Sequence, residues 1–373
     1  MDLRLTEEQR QIADSIGQLL AHASDSAGMR RAAFEHGGFD ASLWAQLGEL
    51  GACGVHIAEA HGGLGLGATE LVLVAEEFGR RLACVPWLES VVLAGTTLAA
   101  LGDDRVAAHW LPPLASGEQI VTLDIGLAPG APLSVRREGA DLRIDGVLPA
   151  VPAALAARSL LLPVPDGNER RLMAIGLDAP GVLRRARENH DATRPVAEVS
   201  LQNVRVRSDE CLAHGAALER ALARGRLLAA AVLASELVGV AQQCLDLTVA
   251  HLAQRVQFGK PLATFQALKH RCATMMVAVE LARSAVLGAA RTFDAQPDDA
   301  RLLRPATMAR CLADEAAQYC TQEAIQLHGG VGFTWEFDPH LYFKRAQAAR
   351  AWFGTPGTWR EQLAASLLDE VAA

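Results

Sequence analysis

The spacing of apolar residues divides the chain into three parts. In the first part, apolar residues recur at helical intervals, as at positions 71, 74, 75, 78 and 82. This interval keeps one side of a helix apolar, so the pattern predicts amphipathic helices packed on one another. Further helices are predicted over 87–101 and 103–115.

Two polar patterns predict where the first helices begin. Thr6 and Gln9 have the spacing of a capping box, which opens a helix to about Leu20. Asp40 is placed to cap a short helix that ends at Gly51. The N-terminal part is therefore predicted to be all-helical.

Between Gln119 and Arg207 the helical spacing disappears. Proline and glycine recur, and short runs such as IVTLDI, DLRIDGVL and VAEVSLQNVRV alternate apolar with polar residues. Alternation is typical of strands with one buried side. Because turn residues separate the runs at regular intervals, the pattern predicts a small antiparallel barrel or sandwich.

From Ala216 onward the helical spacing returns. It predicts helices over about 217–254, 262–295 (ended by Pro297), 300–327 and 356–370. Long helices with short connections favour an antiparallel bundle. The predicted fold is α+β and mainly α, with an N-terminal helical domain (1–118), a middle β domain (119–213) and a C-terminal four-helix bundle (214–373).

Composition narrows the class of protein. The chain has 373 residues, half of them hydrophobic, with a formal net charge of −8. That charge argues against nucleic acid or an anionic membrane as the main partner. The seven cysteines form no C-x-x-C pair and no zinc-spaced cluster, so we expect no metal site and reduced thiols in the cytoplasm. No uninterrupted apolar run of about 18 residues occurs, and we expect no membrane span.

One candidate binding segment is RVQFGKPLATFQ, residues 255–266. Gly259 and Pro261 interrupt a helix, and a new helix starting near Pro261 would expose backbone N–H groups suited to phosphate. Arg255 can bind a phosphate through two parallel hydrogen bonds, and Phe258 offers a flat apolar surface. An ordinary helix–helix turn with a solvated arginine gives the same pattern.

A second candidate segment is QLHGGVGF, residues 326–333. Gly329 and Gly330 allow the backbone to approach a ligand closely, and Gln326 could bond an adenine edge or a pyrophosphate oxygen. The spacing differs from a dinucleotide-binding G-x-G-x-x-G, and no predicted strand precedes it. A glycine-terminated helix is the alternative, with His328 a packed, hydrogen-bonded histidine.

Together the two segments resemble the C-terminal domain of the acyl-CoA dehydrogenase family. RxxFGKPxxxxQ is followed about 60 residues later by QLHGGxGF and then by Gly-Thr. AEAHGGLGLGATELVLVAEEFGR is similar to the family's N-terminal segment, and DATRPVAEVSLQNVRV to the end of its β domain. The resemblance covers nearly the whole chain and is most specific in the last third.

The resemblance implies FAD as cofactor and conversion of an acyl-CoA thioester to a 2-enoyl-CoA. A carboxylate takes the α proton, flavin N5 accepts hydride, and an acceptor such as electron-transfer flavoprotein removes the electrons. It also implies an FAD held mainly by a neighbouring subunit. The residues that the resemblance implies for FAD contact are Arg255, Phe258, Phe265, Gln266, Gln326, Gly329, Gly330 and Thr355.

The sequence departs from the family at the catalytic base. One usual position, directly before Gly-Thr, is Phe353, and the other is Ala229. Neither side chain can accept a proton. Glu236, isolated in LLAAAVLASELVGVA, is a weak candidate; burial could raise its pKa, although a solvent-facing or salt-bridged glutamate is favoured.

The middle domain departs as well. The family's T-E-P-x-A-G-S-D loop aligns with VTLDIGLAPGAPLS in this chain. Asp124 stands near an acidic position of that loop, but the rest of the pattern is absent. The family's tryptophan-containing strand aligns with GVLPAVPAALAARS, whose prolines lack backbone donors. The usual contacts to the flavin ring from the same chain are therefore not expected.

These departures favour an enzyme in which two different chains share the catalytic and cofactor-binding residues. The chain resembles the small, non-catalytic subunit of bacterial α2β2 enzymes, whose larger partner carries the base and which act on bulky acyl groups such as steroid side chains. One alternative is a self-sufficient homotetramer that uses Glu236 or another acid. Another is a scaffold that binds no flavin. The sequence leaves the acyl group open.

Overall fold

The computed structural model describes residues 4–295 and 302–372; the predicted helix end at Pro297 lies outside them. Apart from short 3₁₀-helices, the helices in the described residues are α1 (Glu7–Ala23), α2 (Ser26–Phe34), α3 (Ala41–Glu49), α4 (Ala68–Arg81), a π-helix (Leu88–Gly95) continuing into α5 (Thr96–Ala100), α6 (Asp104–Ala115), α7 (Gly215–Gln254), α8 (Gln266–Ala295), α9 (Leu303–His328), α10 (Pro339–Ala349) and α11 (Pro356–Ala372).

The strands lie between α6 and α7, apart from one short ribbon. They are β1 (Val121–Leu123), β2 (Ser134–Glu138), β3 (Asp141–Pro152), β4 (Ser159–Asp166), β5 (Glu169–Gly176), β6 (Val182–Arg187), β7 (Val196–Val206) and β8 (Cys211–His214), with the ribbon β9 (Val256–Gln257) and β10 (Lys260–Pro261) after α7. The predicted order of helices, strands and helices is confirmed.

Contacts divide the chain into two compact units. The first unit comprises Met1–Arg31, Gly67–Ala83 and Ala230–Ala373, and the second comprises Ala32–Leu66 and Cys84–Ala229. The sequence-based division at 118/119 and 213/214 follows secondary structure instead, and it stays a prediction.

The first unit is a bundle in which α4 and the later part of α7 come unusually close. A Cβ built on Gly239 would collide with the backbone oxygen of Glu76, and one on Gly79 would collide with that of Glu236. The Ser235 hydroxyl donates to the Val72 carbonyl across the same contact, at 2.5 Å. Gly79 and Gly239 therefore set the distance between these helices.

The second unit contains two four-stranded sheets, ordered β1-β4-β5-β8 and β2-β3-β7-β6. No closed barrel forms among the described residues, so of the two predicted alternatives the barrel is wrong. One strand pair, β1 with β4, is parallel, against the prediction of a purely antiparallel domain. The alternation of apolar and polar residues along a strand does not determine which other strand it pairs with. The sequence could therefore predict the strands but not their order in the sheets.

The capping predictions are confirmed. The Thr6 side chain and Gln9 form a reciprocal capping box at α1, and the Asp40 carboxylate accepts from the Leu43 N–H at 2.9 Å to cap α3. Helix α10 was not predicted. The helix expected to begin near Pro261 begins at Gln266 instead, because Pro261 belongs to the β9–β10 ribbon.

Two helices in the described part of the chain, α7 and α8, are long and apolar enough to cross a membrane by length and composition alone. Because the sequence-based criterion was an uninterrupted apolar run, the mean hydropathy of these two helices was not identified as high enough for a membrane span. Most of the apolar stretch of α7 is buried within the structure, as in the core helices of soluble proteins, whereas only 28% of that of α8 is buried.

The start of α4 depends on a carboxylate from α8. Asp294 accepts from the backbone N–H of Ala68 at 2.6 Å and of Thr69 at 3.1 Å, because the N-cap residue, Gly67, has no side chain. We expect Asp294→Ala to lower the free energy of unfolding by about 1–2 kcal/mol, the usual cost of losing an N-cap. Urea unfolding measures this. Glu315→Ala, which removes only an exposed pair with Arg360, should change it by less than about 1 kcal/mol.

Candidate functional site

The ends of α7 and α9 meet in the first unit. The imidazole rings of His251 and His328 stack, with centroids 4.3 Å apart and an interplanar angle of 26°. His251 lies one turn before Arg255, and His328 directly precedes Gly329. The two segments singled out from the sequence are therefore neighbours, and we call residues 251–266 and 326–337 together the glycine corner.

The first half of the glycine corner presents an arginine and an exposed aromatic ring. The Arg255 side chain is exposed and forms no ion pair with any residue in the described ranges. Phe258 and Gly259 form the tip of the β9–β10 ribbon, both at positive φ (55° and 76°). Phe258 is 87% exposed, which is unusual for phenylalanine. An exposed aromatic residue whose backbone adopts the left-handed conformation indicates a surface that contacts another molecule.

Two further predicted contact residues pack beside this tip. The Phe265 ring meets that of Phe258 edge-on at 6.0 Å, and the Lys260 ammonium lies 4.4 Å from the Phe265 centroid. Gln266 begins α8, and its exposed amide contacts the His270 ring at 3.2 Å. These side chains therefore pack against one another, and the outward side of the Phe258 ring stays exposed to solvent.

The second half of the glycine corner begins with a 3₁₀-helix, Gly329–Phe333, whose first two glycines are open. Gly329 has φ 65°, and a Cβ on Gly329 or Gly330 would meet no atom within 4 Å. Gln326 is exposed one turn earlier. An open glycine pair beside an unpaired arginine matches what an anionic pyrophosphate needs: backbone that it can approach and a bidentate cation. The residues present therefore fit the ADP half of FAD.

Thr355 lies in a separate segment after α10. Its exposed hydroxyl accepts from the Thr358 N–H at 3.2 Å and so caps α11, which begins at Pro356. This capping role accounts for a threonine before Pro356 without a ligand. Its contact with FAD stays a prediction.

The positions that usually hold a catalytic base are apolar and buried. Phe353 is 6% exposed and adopts φ 60°, a conformation unfavourable for a phenylalanine. Ala229 is fully buried in α7. Neither side chain carries a group that could abstract a proton.

Glu236 is occupied by an ion pair. Its carboxylate, 3% exposed, accepts a hydrogen bond from the Arg345 guanidinium, 1% exposed, at 2.5 Å. Arg345 lies on α10, the helix that was not predicted. A buried carboxylate held by a guanidinium is stabilised as the anion and is tied in place. The geometry gives Glu236 a structural role, the alternative favoured from the sequence.

The middle segments do not fit a flavin ring in the usual way. The β3–β7 ladder is irregular between Leu148 and Val151, where Pro149 lacks a donor, and Ala153 follows at φ 55°. Burial raises the pKa of Asp124, against a hydrogen bond from the Gly126 N–H that lowers it. The glycine corner thus fits the nucleotide half of FAD, and the absence of contacts from the middle segments to the isoalloxazine ring stays a prediction.

Two features of the glycine corner were missed by sequence reasoning. His251 was not singled out, although its position four residues before Arg255 was a usable signal. Phe333 and Trp335 are more than half exposed beside Gly330, and Lys344 lies 4.8 Å from the Trp335 ring. Alternating aromatic residues in FTWEF could have indicated this surface. We call Phe258, Phe333 and Trp335 the aromatic patch.

Comparison with known proteins places the chain in a family. A family model described as acyl-CoA dehydrogenase, N-terminal domain, matches residues 6–118, and one described as acyl-CoA dehydrogenase, C-terminal domain, matches residues 215–368. The acyl-CoA dehydrogenase IpdE2 of Mycobacterium tuberculosis is 31% identical over 352 residues, covering 94% of each chain.

Two solved structures extend the likeness. A chain of the ChsE4-ChsE5 complex from Mycobacterium tuberculosis superimposes with a TM-score of 0.88 at 24% identity, covering 99% of both chains, which shows the shared fold. A chain from a variant of the Tcur3481-Tcur3483 steroid ACAD gives a TM-score of 0.86 at 27% identity, covering 98% of this chain and 99% of that one. The chain is a member of the acyl-CoA dehydrogenase family of FAD-dependent oxidoreductases.

Proposed function

We propose that this chain is the site-completing subunit of a heteromeric acyl-CoA dehydrogenase. In this proposal a related, larger chain supplies the base and the flavin groove, and the glycine corner binds the ADP half of the partner's FAD. The observation that carries the proposal is the contrast within the first unit: Gly329 and Gly330 are open, whereas Phe353 fills the usual base position.

Each residue has a defined task in the proposed site. Arg255 binds the phosphates, Gly329 and Gly330 allow the pyrophosphate to approach the backbone, and the exposed Gln326 amide bonds the adenosine side. When bound, FAD accepts the β hydrogen of the acyl-CoA as hydride. The residues of this chain hold and orient, and none of the proposed contacts moves a proton.

The surface of the first unit supports assembly with other chains. The aromatic patch lies within the glycine corner, and α8 carries exposed apolar side chains, Met276, Val277 and Leu281. Exposed apolar surface of this kind marks contacts between proteins. The solved relatives named as a ChsE4-ChsE5 complex and as Tcur3481-Tcur3483 support a pair of different chains.

The proposed substrate is a bulky acyl-CoA such as a steroid side chain, supported by the relative described as a steroid ACAD. We further propose that the enzyme works in the cytoplasm and passes electrons to an acceptor such as electron-transfer flavoprotein. The test is to express the chain alone and together with a longer acyl-CoA dehydrogenase homologue encoded nearby that carries the missing glutamate.

We expect a yellow complex that dehydrogenates acyl-CoA, and a lone chain with no such activity. Full activity of the lone chain would refute the proposal in favour of a homotetramer, and a colourless complex would favour the scaffold that binds no flavin. Within the complex, Arg255→Ala should reduce FAD affinity about 10- to 100-fold, the value of a charge-assisted hydrogen bond. Arg304→Ala, at an exposed arginine of α9, is the matched control and should leave FAD binding unchanged.

A further inference from the structure

The stacked pair of His251 and His328 joins the two halves of the glycine corner. Phe337 packs edge-on against both rings, with centroids 6.3 Å from each. We propose that His251 and His328 are positioning residues whose neutral stack holds Arg255 and Gly329–Gly330 together, and that protonation of the stack releases the nucleotide. The identity of the nucleotide as the ADP half of FAD rests on the proposed function.

Hydrogen bonding fixes the tautomer of one ring. His328 Nδ1 lies 2.7 Å from the Ala324 carbonyl oxygen, which can only accept, so Nδ1 carries the proton. This carbonyl lies one turn before the end of α9, at the same position i−4 that the helix itself places beneath His328. The bond orients the His328 ring toward His251 and leaves Nε2 as the atom that takes up a proton.

The surroundings disfavour a charged pair. Burial lowers the pKa of both histidines; the Arg255 charge lowers that of His251 further, and His251 lowers that of His328, against the Ala324 hydrogen bond that raises it. Within the described ranges, the charged groups acting on the pair from α7 and α9 are Arg255 and the two imidazoles, and from the 329–337 segment the pair meets the uncharged Phe337 ring. A proton on His251 therefore faces the Arg255 guanidinium and the stacked His328 ring, and a proton on His328 faces the His251 ring, with no carboxylate among the groups acting on either within the described residues.

The lowered pKa values of His251 and His328 determine how the stability of the stack changes with pH. Because the folded-state pKa values lie below the unfolded ones, the stack contributes its full stability above the pKa of a free histidine, about 6.5. The contribution is lost as the pH falls toward the folded-state pKa values. Movement of His251 displaces Arg255 one turn away, and movement of His328 displaces the adjacent Gly329.

The test compares the natural chain with His251→Phe/His328→Phe, in which two aromatic rings keep the stack and cannot titrate. Hydrogen exchange of peptides covering 251–260 and 326–333, corrected for intrinsic rates, is measured on the chain alone at pH 7.5 and 5.5. FAD retention of the complex is measured at the same pH values. His251→Phe alone serves as a second variant, since it preserves the His328–Ala324 bond.

We expect both peptides of the natural chain to lose protection together at pH 5.5, and FAD affinity to fall on the order of fivefold or more, with neither change in the double variant. Equal pH dependence in natural and double-variant proteins, or loss of protection in only one peptide, would overturn the inference. If the peptides respond as expected but the complex binds no FAD at any pH, the positioning role stands and the proposed function fails.

Discussion

Replacing Glu236 with glutamine is expected to lower the free energy of unfolding by about 3–5 kcal/mol, because it removes the negative charge that pairs with the buried Arg345 guanidinium. Arg345 is 1% exposed, so water cannot replace the lost carboxylate. Arg345→Met should be similarly damaging, since it removes the guanidinium that donates to the buried Glu236 carboxylate. Chemical denaturation of the purified variants measures both effects.

The double variant Glu236→Leu/Arg345→Met separates structure from chemistry. Two apolar side chains of similar volume can replace a buried ion pair with little loss, so stability should return to within about 1–2 kcal/mol of the natural chain. If Glu236 only pairs with Arg345, a complex containing the double variant keeps its dehydrogenase activity. A stable double variant whose complex loses activity by orders of magnitude would instead identify Glu236 as the base.

Replacing Gly239 with alanine is expected to lower the free energy of unfolding by about 3 kcal/mol or more, because the added Cβ collides with the Glu76 backbone oxygen of α4. Backbone of a helix moves only if the whole helix moves, and the Ser235–Val72 bond opposes that movement. Thermal unfolding, or failure to obtain folded protein, measures the effect. Gly79→Ala, on the other side of the contact, should behave alike.

Gly288→Ala is the matched control for this contact. Gly288 also lies inside a long helix, α8, but a Cβ there would meet no atom within 4 Å. Alanine should therefore be neutral or stabilise by up to about 1 kcal/mol, since glycine is the poorer helix former. If Gly239→Ala proved as mild as Gly288→Ala, the close approach of α4 and α7 would be wrong.

The fold was predictable where local patterns decide it. The stripe at 71–82 and the Thr6 and Asp40 caps gave α1, α3 and α4, because helical spacing and capping depend only on nearby residues. Helix α10 was missed because buried polar residues, His340 and Arg345, break its apolar stripe, although Pro339 at its start is a usual opening signal. The pairing of β1 with β4 depends on contacts between distant segments.

The candidate site was predictable as two segments and not as one surface. Arg255 and the glycines at 329 and 330 were found from their residue types, but that their segments are neighbours is shown by the stack between His251 and His328, which no local pattern contains. The partner of Glu236 lies 109 residues away along the chain, so the sequence could only name the alternatives for this glutamate. The outward position of Phe258 likewise depends on the left-handed tip of the ribbon.

The aromatic patch affects the solubility of the isolated protein and its lifetime in the cell. Phe258, Phe333 and Trp335 are exposed on the isolated chain, and unshielded rings of this size promote self-association in water. If the proposed heteromeric assembly is correct, recombinant yield in the supernatant should rise when the proposed partner subunit is synthesised at the same time. Molecules made in excess of that subunit are expected to be short-lived, since quality-control proteases clear whatever stays uncovered.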